Sequence, residues 1–486
     1  MRISVLGCGY LGAVHAAALA SLGHDVLGVD VDAARVNALA DGRPPFFEPG
    51  LGELLQRAVR SGRLRFTTTP ADDGLADAEL HFITVGTPQS DDGSADLSAV
   101  ESALDTILAA VPVGARPVVA GKSTVPVGTA KRLAERLAAS GATLVWNPEF
   151  LREGRAVEDT LHPDRIVYGL PDDPAQARRG REALDAAYAP LLAEGIPRIA
   201  TNYPTAELVK MAANSFLATK ISFINAMAEL CEATGGDVVA LADVLGYDDR
   251  IGRKFLRAGV GFGGGCLPKD IRAFVARAEE LGVGDALTFL KQVDAINQRR
   301  RDRVVALAER WLGGDVAGAR VTVLGAAFKP DSDDVRDSPA LDVALRLADR
   351  GALVRVCDPR ALDVVERLHP GLDTRRDPLA ALEGAEVVLL LTEWQEFIDL
   401  DPAEAAGQVA RPVVIDGRNA LDPGRWREAG WTHLGLGRPP SGPGLSRPEL
   451  ARHRATPATA RRPERQLSGS VGSRRRLLRC GGPGRR

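Results

Sequence analysis

The sequence predicts an α/β protein in which two doubly wound parallel sheets are joined by a long central helix and further helical sequence. Short β-branched runs alternate with helical stretches in the first 200 residues, and the alternation returns between residues 320 and 415. Such alternation is typical of a parallel sheet with helices on both faces. Residues 205–234 contain no glycine or proline, which predicts one long helix.

Strands are predicted at residues 3–6, 25–29, 64–67, 80–85, 117–120, 143–145, 165–168 and 198–200, and then at 320–324, 354–357, 387–391 and 413–415. In both regions the first strand runs into a turn that contains glycine, and the second strand ends in aspartate, namely Asp30 and Asp358. The two regions are therefore predicted to share one Rossmann-like plan.

The long central helix is predicted to run from about Pro204 to Thr234. At roughly 30 residues and 1.5 Å per residue it would span about 45 Å. Its apolar residues occupy more than one face, which favours burial between domains or between subunits.

Composition and charge exclude several classes of protein. Hydrophobic residues make up 45% and charged residues 26%, as in globular proteins, and five cysteines in 486 residues cannot form a disulfide scaffold. No apolar run approaches the roughly 18 residues that a membrane span needs. We therefore expect a cytoplasmic protein that does not contact a membrane.

The net charge of −3 is unevenly distributed. Residues 441–486 hold twelve arginines and two glutamates, a balance of +10, so the rest of the chain carries −13. An acidic body argues against nucleic-acid binding by the folded part. The final segment is rich in Arg, Pro, Gly and Ser and is expected to be a disordered tail.

The first predicted strand leads into a glycine motif that is typical of dinucleotide binding. Gly7 permits a tight turn, Gly9 lets a pyrophosphate approach the backbone, and Gly12 lets helix and strand pack closely. Asp30, at the end of the second strand, would accept hydrogen bonds from ribose hydroxyls, which favours NAD. Arg35 lies close enough in sequence to accommodate a 2′-phosphate, so NADP stays an alternative.

Cys266 follows a glycine-rich run and comes just before a predicted helix, because Pro268 suits a first helical turn. The helix dipole and nearby cations would lower the pKa of its thiol and make it a nucleophile. The alternative is a small buried hydrophobic residue, the commoner role of a free cysteine.

Two pairs of polar residues spaced by four suggest chemistry on shared faces. Lys210 and Asn214 lie on the long helix and would hold a developing oxyanion, unless they are a solvated polar stripe. Glu149 and Glu153 follow a strand, where one carboxylate would move protons and the other would contact a sugar. Capping or surface roles are the alternative for each glutamate.

Taken together, these segments resemble the nucleotide-sugar 6-dehydrogenases of the UDP-glucose/GDP-mannose dehydrogenase family. The resemblance covers residues 1–440 and includes eight segments in the family's order. They are residues 7–12, 86–88, 122–128, 147–154, 207–214, 250–270, 328–336 and 416–419.

The resemblance implies an NAD-dependent enzyme that oxidises the C6 alcohol of a nucleotide-linked hexose to a carboxylate, using two NAD⁺ and one water. UDP-glucose, giving UDP-glucuronate through a Cys266 thiohemiacetal and thioester, is the first expectation. Gly265 and Leu267 stand where Ser and Phe are common, so GDP-mannose or a UDP-N-acetylhexosamine stays open as substrate. A catalytically silent NAD-binding protein is the remaining alternative, against which the intact Cys266, Lys210, Asn214 and Asp270 count.

The resemblance also implies three regions: an NAD-binding Rossmann-like domain at residues 1–203, the long helix with a helical dimerisation domain at 204–315, and a UDP-sugar-binding Rossmann-like domain at 316–440. The tail at 441–486, inferred from its composition, lies outside the resemblance. It implies a homodimer in which Arg250 reaches the neighbouring subunit's site. No metal site is expected.

Residue roles follow from the resemblance position by position. The expected catalytic residues are Cys266, Lys210, Asn214, Asp270, Thr124 and Glu149. The expected cofactor-binding residues are Gly7, Gly9, Tyr10, Leu11, Gly12, Asp30, Arg35, Thr87, Thr124, Glu153 and Arg336. The expected substrate-binding residues are Glu149, Phe150, Leu151, Arg152, Glu153, Lys210, Asn214, Arg250, Arg257, Ala258, Gly259, Val260, Gly261, Phe262, Gly263, Phe328, Lys329 and Arg418.

Overall fold

The computed structural model describes residues 1–112 and 114–441. The expected disordered tail at residues 441–486 lies outside the described residues, except for Ser441. No helix in the described ranges is both long enough and apolar enough to cross a membrane.

The first sheet has eight strands in the order β3-β2-β1-β4-β5-β6-β7-β8. They are β1 (Arg2–Leu6), β2 (Asp25–Val29), β3 (Leu64–Thr67), β4 (Leu80–Ile83), β5 (Val118–Gly121), β6 (Thr143–Trp146), β7 (Ile166–Leu170) and β8 (Arg198–Asn202). The first six are parallel, but β7 pairs antiparallel with β6 at Trp146 and Gly169 and then parallel with β8. The predicted all-parallel sheet is therefore wrong for its last two strands.

Helices cover both faces of this sheet. They are α1 (Tyr10–Ser21), α2 (Ala33–Ala40), α3 (Leu51–Arg60), α4 (Ser98–Ala110), α5 (Thr129–Leu137), α6 (Ala156–Leu161), α7 (Pro174–Ala187) and α8 (Ala189–Ala193). Two apolar cores result, one on each face, because the buried residues of parallel strands alternate between the two sides.

Four helices form the middle of the chain: α9 (Tyr203–Thr234), α10 (Val238–Gly246), α11 (Leu267–Glu280) and α12 (Thr288–Trp311). The α9 helix begins where the Asn202 side chain accepts a hydrogen bond from the Thr205 amide, and it ends at Gly235, whose φ is 85°. It packs against β7, α11 and α12. The prediction of one long helix in this region is confirmed.

One face of α9 is apolar and exposed. Leu208, Phe216, Phe223 and Leu230 recur at intervals of seven or eight residues and are 37–66% exposed. A stripe with this spacing lies along one side of a helix. The expected burial of that side is thus not provided by the described residues of this chain.

The second sheet has six parallel strands in the order β11-β10-β9-β12-β13-β14. The strands are β9 (Arg320–Leu324), β10 (Leu353–Cys357), β11 (Asp373–Thr374), β12 (Val387–Leu390), β13 (Val413–Asp416) and β14 (Thr432–Gly435). The helices are α13 (Pro339–Asp349), α14 (Leu362–Leu368), α15 (Pro378–Leu382), α16 (Gln395–Ile398), α17 (Pro402–Ala406) and α18 (Pro423–Glu428).

The predicted fold class is confirmed: two Rossmann-like sheets are joined by a long helix and a helical region. Two strands of the second sheet, β11 and β14, are not predicted from the sequence. The β11 strand has two residues, and β14 is short and lacks the β-branched run by which the other strands were found.

Candidate active site

The turn after β1 has the geometry that a dinucleotide needs. Gly7 has a φ of 92°, and its amide donates to the Val29 carbonyl at 2.8 Å, so the turn is fixed against the end of β2. A Cβ on Gly12 would lie 1.9 Å from the Gly7 carbonyl oxygen, so only glycine allows α1 to pack so closely on the turn.

Gly9 supplies the open part of the same turn. A Cβ at Gly9 would meet no atom within 4 Å, so the backbone at the N-terminus of α1 faces free space. A diphosphate could approach these N–H groups, which a helix N-terminus leaves unpaired. Tyr10 and Leu11 are half-buried beside this space, and the Tyr10 hydroxyl donates to Glu48. These residues fit an NAD pyrophosphate.

Asp30 lies at the end of β2 and is 6% exposed. Its carboxylate accepts the Cys8 amide at 2.8 Å and the Asp32 amide at 3.0 Å. The Arg35 guanidinium donates to both oxygens, at 2.9 and 3.1 Å. Arg35 is paired with Asp30, and its side chain is about one third exposed, so it covers the carboxylate that the sequence assigns to the ribose.

The loops after β4 and β5 meet beside the turn. The Thr87 hydroxyl, which is buried, donates to the Thr124 carbonyl at 2.8 Å. This bond joins Thr87, which is expected to bind the cofactor, to Thr124, which is expected both to bind the cofactor and to act in catalysis.

Glu149 follows β6 and is held from both sides. One carboxylate oxygen accepts the amides of Phe150 and Leu151 at 2.7 and 2.9 Å, and the other lies 2.9 Å from the Lys122 ammonium. Burial by itself would raise the pKa of Glu149, but the charges of Lys122 and Lys210 hold that pKa below its ordinary value.

Cys266 is the residue before α11, and its side chain is exposed to solvent. Asp270, one turn into α11, is 1% exposed and accepts the Asn214 amide at 2.6 Å. Lys269 donates to the other Asp270 oxygen at 2.6 Å. The long helix and α11 therefore bring the predicted thiol, amide and carboxylate into one site.

The pKa of the Cys266 thiol is raised, so the expectation of a lowered pKa is wrong for this structure. The sulfur is reached by solvent but is surrounded by protein, and this partial desolvation is the largest cause. The negative charge of Asp270 adds to it, while Lys210 and Lys269 act in the opposite direction. The helix N-terminus does not overcome these effects.

The glycine-rich segment at residues 257–263 is fixed from beneath by two buried asparagines. Asn225 accepts the Gly259 amide at 2.8 Å, and Asn297 accepts the Phe262 amide at 2.8 Å and donates to its carbonyl at 2.9 Å. The Val260 amide donates to the Gly417 carbonyl at 2.7 Å. Three amides of this expected substrate-binding segment are thus already bonded within the protein, so backbone contacts with a substrate would be made by its other amides.

Arg418 links this segment to the second sheet. Its guanidinium donates to the carbonyls of Leu391, Gly261 and Phe328, at 2.6 to 3.0 Å. Lys329 lies beside the ring of Phe328, and burial lowers the pKa of its ammonium, against the charge of Glu153. Arg418 fixes loops that border the cleft, whereas Lys329 brings a positive charge into it.

Glu153 marks the place where the two sheet domains meet. The Arg336 guanidinium lies 3.3 Å from the Glu153 carboxylate and 2.6 Å from Asp334. The Ser332 hydroxyl donates to the Glu153 carboxylate at 3.4 Å. Burial and then the charge of Asp334 raise the pKa of Glu153 to about 7. Arg152 does not join this cluster, because it pairs with Asp159 at 2.5 Å.

Phe150 lies between cations, with the Arg165 guanidinium 3.9 Å and the Lys210 ammonium 5.7 Å from its ring centroid. Two other expected residues have largely exposed side chains. Arg250 is 89% exposed and pairs with Asp248, and Arg257 is 65% exposed beside Glu393.

Several residues that support the site are not predicted from the sequence. Asn225, Asn297 and Glu48 are polar residues within apolar or loop sequence whose partners are distant along the chain. Lys122 lies within the segment at residues 122–128, but the sequence predicts no role for it. What distinguishes these residues is that they are polar and buried, and burial cannot be read from the sequence.

Comparison with known proteins identifies this arrangement. Residues 1–192 match the NAD-binding domain of the UDP-glucose/GDP-mannose dehydrogenase family, residues 204–299 its central domain and residues 322–423 its UDP-binding domain. The chain belongs to this family. It is therefore an NAD-dependent oxidoreductase whose substrate is a nucleotide sugar.

Individual relatives within the family cover nearly the whole described chain. The UDP-glucose 6-dehydrogenase of Rhizobium meliloti is 41% identical, over 90% of this chain and 100% of its own length. That of Pseudomonas aeruginosa is 40% identical, over 91% and 98%. The solved UDP-glucose dehydrogenase of Pyrobaculum islandicum superimposes with a TM-score of 0.81 at 40% identity, over 90% of this chain and 98% of that one.

A second solved member of the family acts on a different sugar by its description. The UDP-D-ManNAc dehydrogenase of Pyrococcus horikoshii is 27% identical with a TM-score of 0.77, over 90% of this chain and 99% of that one. The family fold is thus shared by enzymes for different nucleotide sugars.

Proposed function

We propose that this protein oxidises UDP-glucose to UDP-glucuronate, using two NAD⁺ and one water, through a thiohemiacetal and a thioester on Cys266. The observation that carries the proposal is the exposed Cys266 thiol beside the bonded pair Asn214 and Asp270. The UDP-glucose relatives, at about 40% identity, favour that sugar over the 27% identical UDP-D-ManNAc enzyme.

The first oxidation removes a hydride and a proton from the C6 alcohol and leaves an aldehyde. NAD⁺, when bound, would accept the hydride, while the charges of Lys210 and Lys269 favour the Cys266 thiolate. Lys210 and Asn214 project from one face of α9 and stabilise the negative charge on the C6 oxygen.

Covalent capture follows because the aldehyde must not leave before the second oxidation. The Cys266 sulfur bonds to C6 and gives a thiohemiacetal, and loss of a second hydride and a proton gives a thioester. A two-electron alcohol dehydrogenase would need no thiol at this place.

Hydrolysis completes the four-electron oxidation. A water held by Thr124 loses a proton to Glu149 as its oxygen bonds to C6, the bond between C6 and the sulfur breaks, and Asp270 handles the proton of the thiol. The whole reaction converts one alcohol, two NAD⁺ and one water into one carboxylate, two NADH and three protons.

The remaining expected residues bind the two ligands. Gly7–Gly12, Asp30, Arg35, Thr87, Glu153 and Arg336 hold NAD, supported by the open space at Gly9. Phe150 to Glu153, the segment at residues 257–263, Phe328, Lys329 and Arg418 border the sugar nucleotide.

Assembly and location complete the proposal. The exposed apolar stripe on α9 supports a homodimer packed about that helix, with Arg250 projecting into the neighbouring site. A sedimentation mass of one chain would contradict the dimer. The mechanism also needs a reduced thiol, which supports a cytoplasmic location.

The NADH yield tests the reaction. UDP-glucose, GDP-mannose and UDP-N-acetylmannosamine are supplied in limiting amounts, and absorbance at 340 nm counts the NADH. About two NADH per UDP-glucose are expected, with a kcat/KM at least tenfold above that of the other sugars. One NADH would indicate simple dehydrogenation, and a preference for another sugar would reassign the substrate.

Cys266→Ser tests the thiol. Turnover should fall at least a thousandfold, while NAD affinity and Tm stay at the wild-type values, because the residue lies at the cleft surface. Cys231→Ser, at the far end of α9, is the matched control and should keep the yield of two NADH. Normal turnover in Cys266→Ser would exclude a covalent role for this sulfur.

A further inference from the structure

Behind Glu149 lies a buried polar cluster to which the mechanism above gives no task. The Lys122 ammonium, 5% exposed, lies 2.9 Å from a Glu149 oxygen, 3.0 Å from the Asn147 side-chain oxygen and 3.4 Å from the Tyr188 hydroxyl. Three acceptors therefore match its three N–H donors.

The partners of Lys122 are themselves fixed. The Tyr188 hydroxyl donates to the Asn147 oxygen at 2.6 Å, and the Asn147 amide donates to the Val167 carbonyl at 2.9 Å. The ammonium is thus held in one position, on the side of Glu149 opposite the Phe150 and Leu151 amides.

A cavity of about 220 Å³ reaches this cluster from the surface. Its inner end is lined by His15, Lys122, Asn147, Glu149 and Tyr188, and its outer end by exposed residues that include His162 and Asp164. Both ring nitrogens of His15, which is 1% exposed, lack a hydrogen-bond partner among the described residues. At about 30 Å³ per molecule in the liquid, the cavity has room for several waters.

We propose that Lys122 is a positioning residue for the hydrolytic step: it fixes the Glu149 carboxylate as an oriented anion, and the cavity gives small solvent species access to that pair. The inference rests on the proposed function, in which Glu149 takes the proton of the attacking water. No part of Lys122 needs to touch the substrate.

Charge favours this role over simple core packing. The groups that face Glu149 are Lys122 after β5, Lys210 on α9, Tyr188 between α7 and α8, and His15 on α1. At the cavity mouth are also Arg152, Arg155, Glu158, Asp159, His162, Asp164 and Arg165.

Lys122 is the largest of the influences that lower the pKa of Glu149. Burial, and then the same charge of Lys122, lower the pKa of His15, which therefore stays neutral beside it. Without Lys122, one carboxylate oxygen would lose its ion pair, and Glu149 would be protonated at a higher pH.

The experiment compares Lys122→Met with wild type and with Lys131→Met, an exposed lysine on α5. In Lys122→Met, kcat should fall ten- to a hundredfold while the KM for UDP-glucose changes less than threefold. The acid limb of its pH–kcat profile should move up by one pH unit or more. Lys131→Met should match wild type in all three. An unchanged profile in Lys122→Met would overturn the proposal.

Chemical rescue keeps the test decisive if Lys122→Met folds poorly. Lys122→Ala lacks only the propylammonium part of the side chain, and the cavity opens to solvent. Propylammonium chloride should restore kcat at least fivefold and saturably, and 1-propanol should not. Equal rescue by 1-propanol would indicate a packing role and would contradict the proposal.

Glu149→Gln separates the positioning role from the proposed function. Lys122→Met should reduce kcat less than twofold further in a Glu149→Gln background, because the pair acts as a unit. A wild-type yield of two NADH with additive effects of the two substitutions would overturn the inference alone. A wild-type yield other than two would overturn the proposed function first.

Discussion

The two sheet domains share one backbone plan and differ in what occupies the turn after their first strand. Each has the relative strand order 3-2-1-4-5-6 among the strands that correspond. Gly7 and Gly325 both have positive φ, and each amide donates to the last carbonyl of the next strand. Asp30 and Asp358 directly follow the second strands; Asp30 accepts one amide of its turn and Asp358 accepts two.

The first turn is open and the second is filled by the chain itself. Ala327 takes the place of Gly9, and the Ser338 hydroxyl, at the start of α13, donates to the Ala326 carbonyl at 2.6 Å. Asp358 is 1% exposed, because the following loop and helices cover it.

Side chains, and not the sheet topology, therefore decide whether such a turn holds a dinucleotide. The first turn keeps a glycine over free space and an aspartate that is paired with Arg35, whose side chain is about one third exposed. In the second turn, Asp358 stabilises the domain by accepting backbone amides, and the loop at residues 328–336 borders the cleft.

The largest expected effect comes from the two aspartates. Asp358 accepts five donors: the amides of Ala326, Ala327, Arg360 and Ala361 and the indole N–H of Trp394. Asp358→Asn removes acceptors from buried donors and should lower the free energy of unfolding by about 2–4 kcal/mol. Urea denaturation of the purified variant measures this loss.

Asp30→Asn is the matched variant in the first domain. It should cost only about 1 kcal/mol of stability, because fewer donors depend on it and Arg35 keeps a second partner in Asp32. Its NAD affinity should fall at least tenfold. Asp358→Asn, measured at a temperature at which it is folded, should keep the NAD affinity of the wild type. Equal stability losses would contradict the distinction between the two turns.

How much of this was predictable depends on distance along the chain. The glycine turn, Asp30 and the strand alternation are local patterns, so the sequence predicts both sheets and the cofactor site. The antiparallel β7 and the bonds of Asn225 and Asn297 depend on contacts between distant segments.

The wrong prediction of the Cys266 pKa has a similar origin. The sequence shows that a helix follows Cys266, but not that Asp270 is buried and that protein surrounds the sulfur. The catalytic roles themselves came from the family resemblance, since spacing alone left Lys210, Asn214 and Glu149 with structural alternatives.

A smaller effect on stability is expected from exchanging the residues at the third position of each turn. Gly9→Ala places a methyl group in the open space, where it meets no protein atom, so Tm should change by less than about 2 °C. NAD affinity should fall ten- to a hundredfold, because the methyl group occupies the approach to the helix N-terminus. Isothermal titration with NAD measures it.

Ala327→Gly is the reciprocal control. Because Ser338 and Asp358 still fill the second turn, the smaller residue should not create a dinucleotide site, and the NAD stoichiometry should stay at one per chain. A second NAD bound by Ala327→Gly would show that the alanine methyl alone keeps the second turn closed.

The smallest effect is expected at Glu153, where the two domains touch. Its pKa in the folded protein is raised to about 7 by burial and by Asp334, above the ordinary value of 4.5. The folded state therefore binds this proton more tightly than the unfolded chain, and stability falls as pH rises from about 4.5 to 7. Glu153→Gln removes the cost of ionisation, although it also loses the ion pair with Arg336.

The stability of Glu153→Gln relative to wild type should therefore increase with pH. The difference in the free energy of unfolding should be on the order of 1 kcal/mol larger at pH 8 than at pH 4.5, with the change confined to the window below about pH 7. Glu53→Gln, on the exposed side of α3, removes the same charge and is the matched control. A constant difference for Glu153→Gln would mean that Arg336 and Lys329 already balance the carboxylate, and that the domains meet there without electrostatic cost.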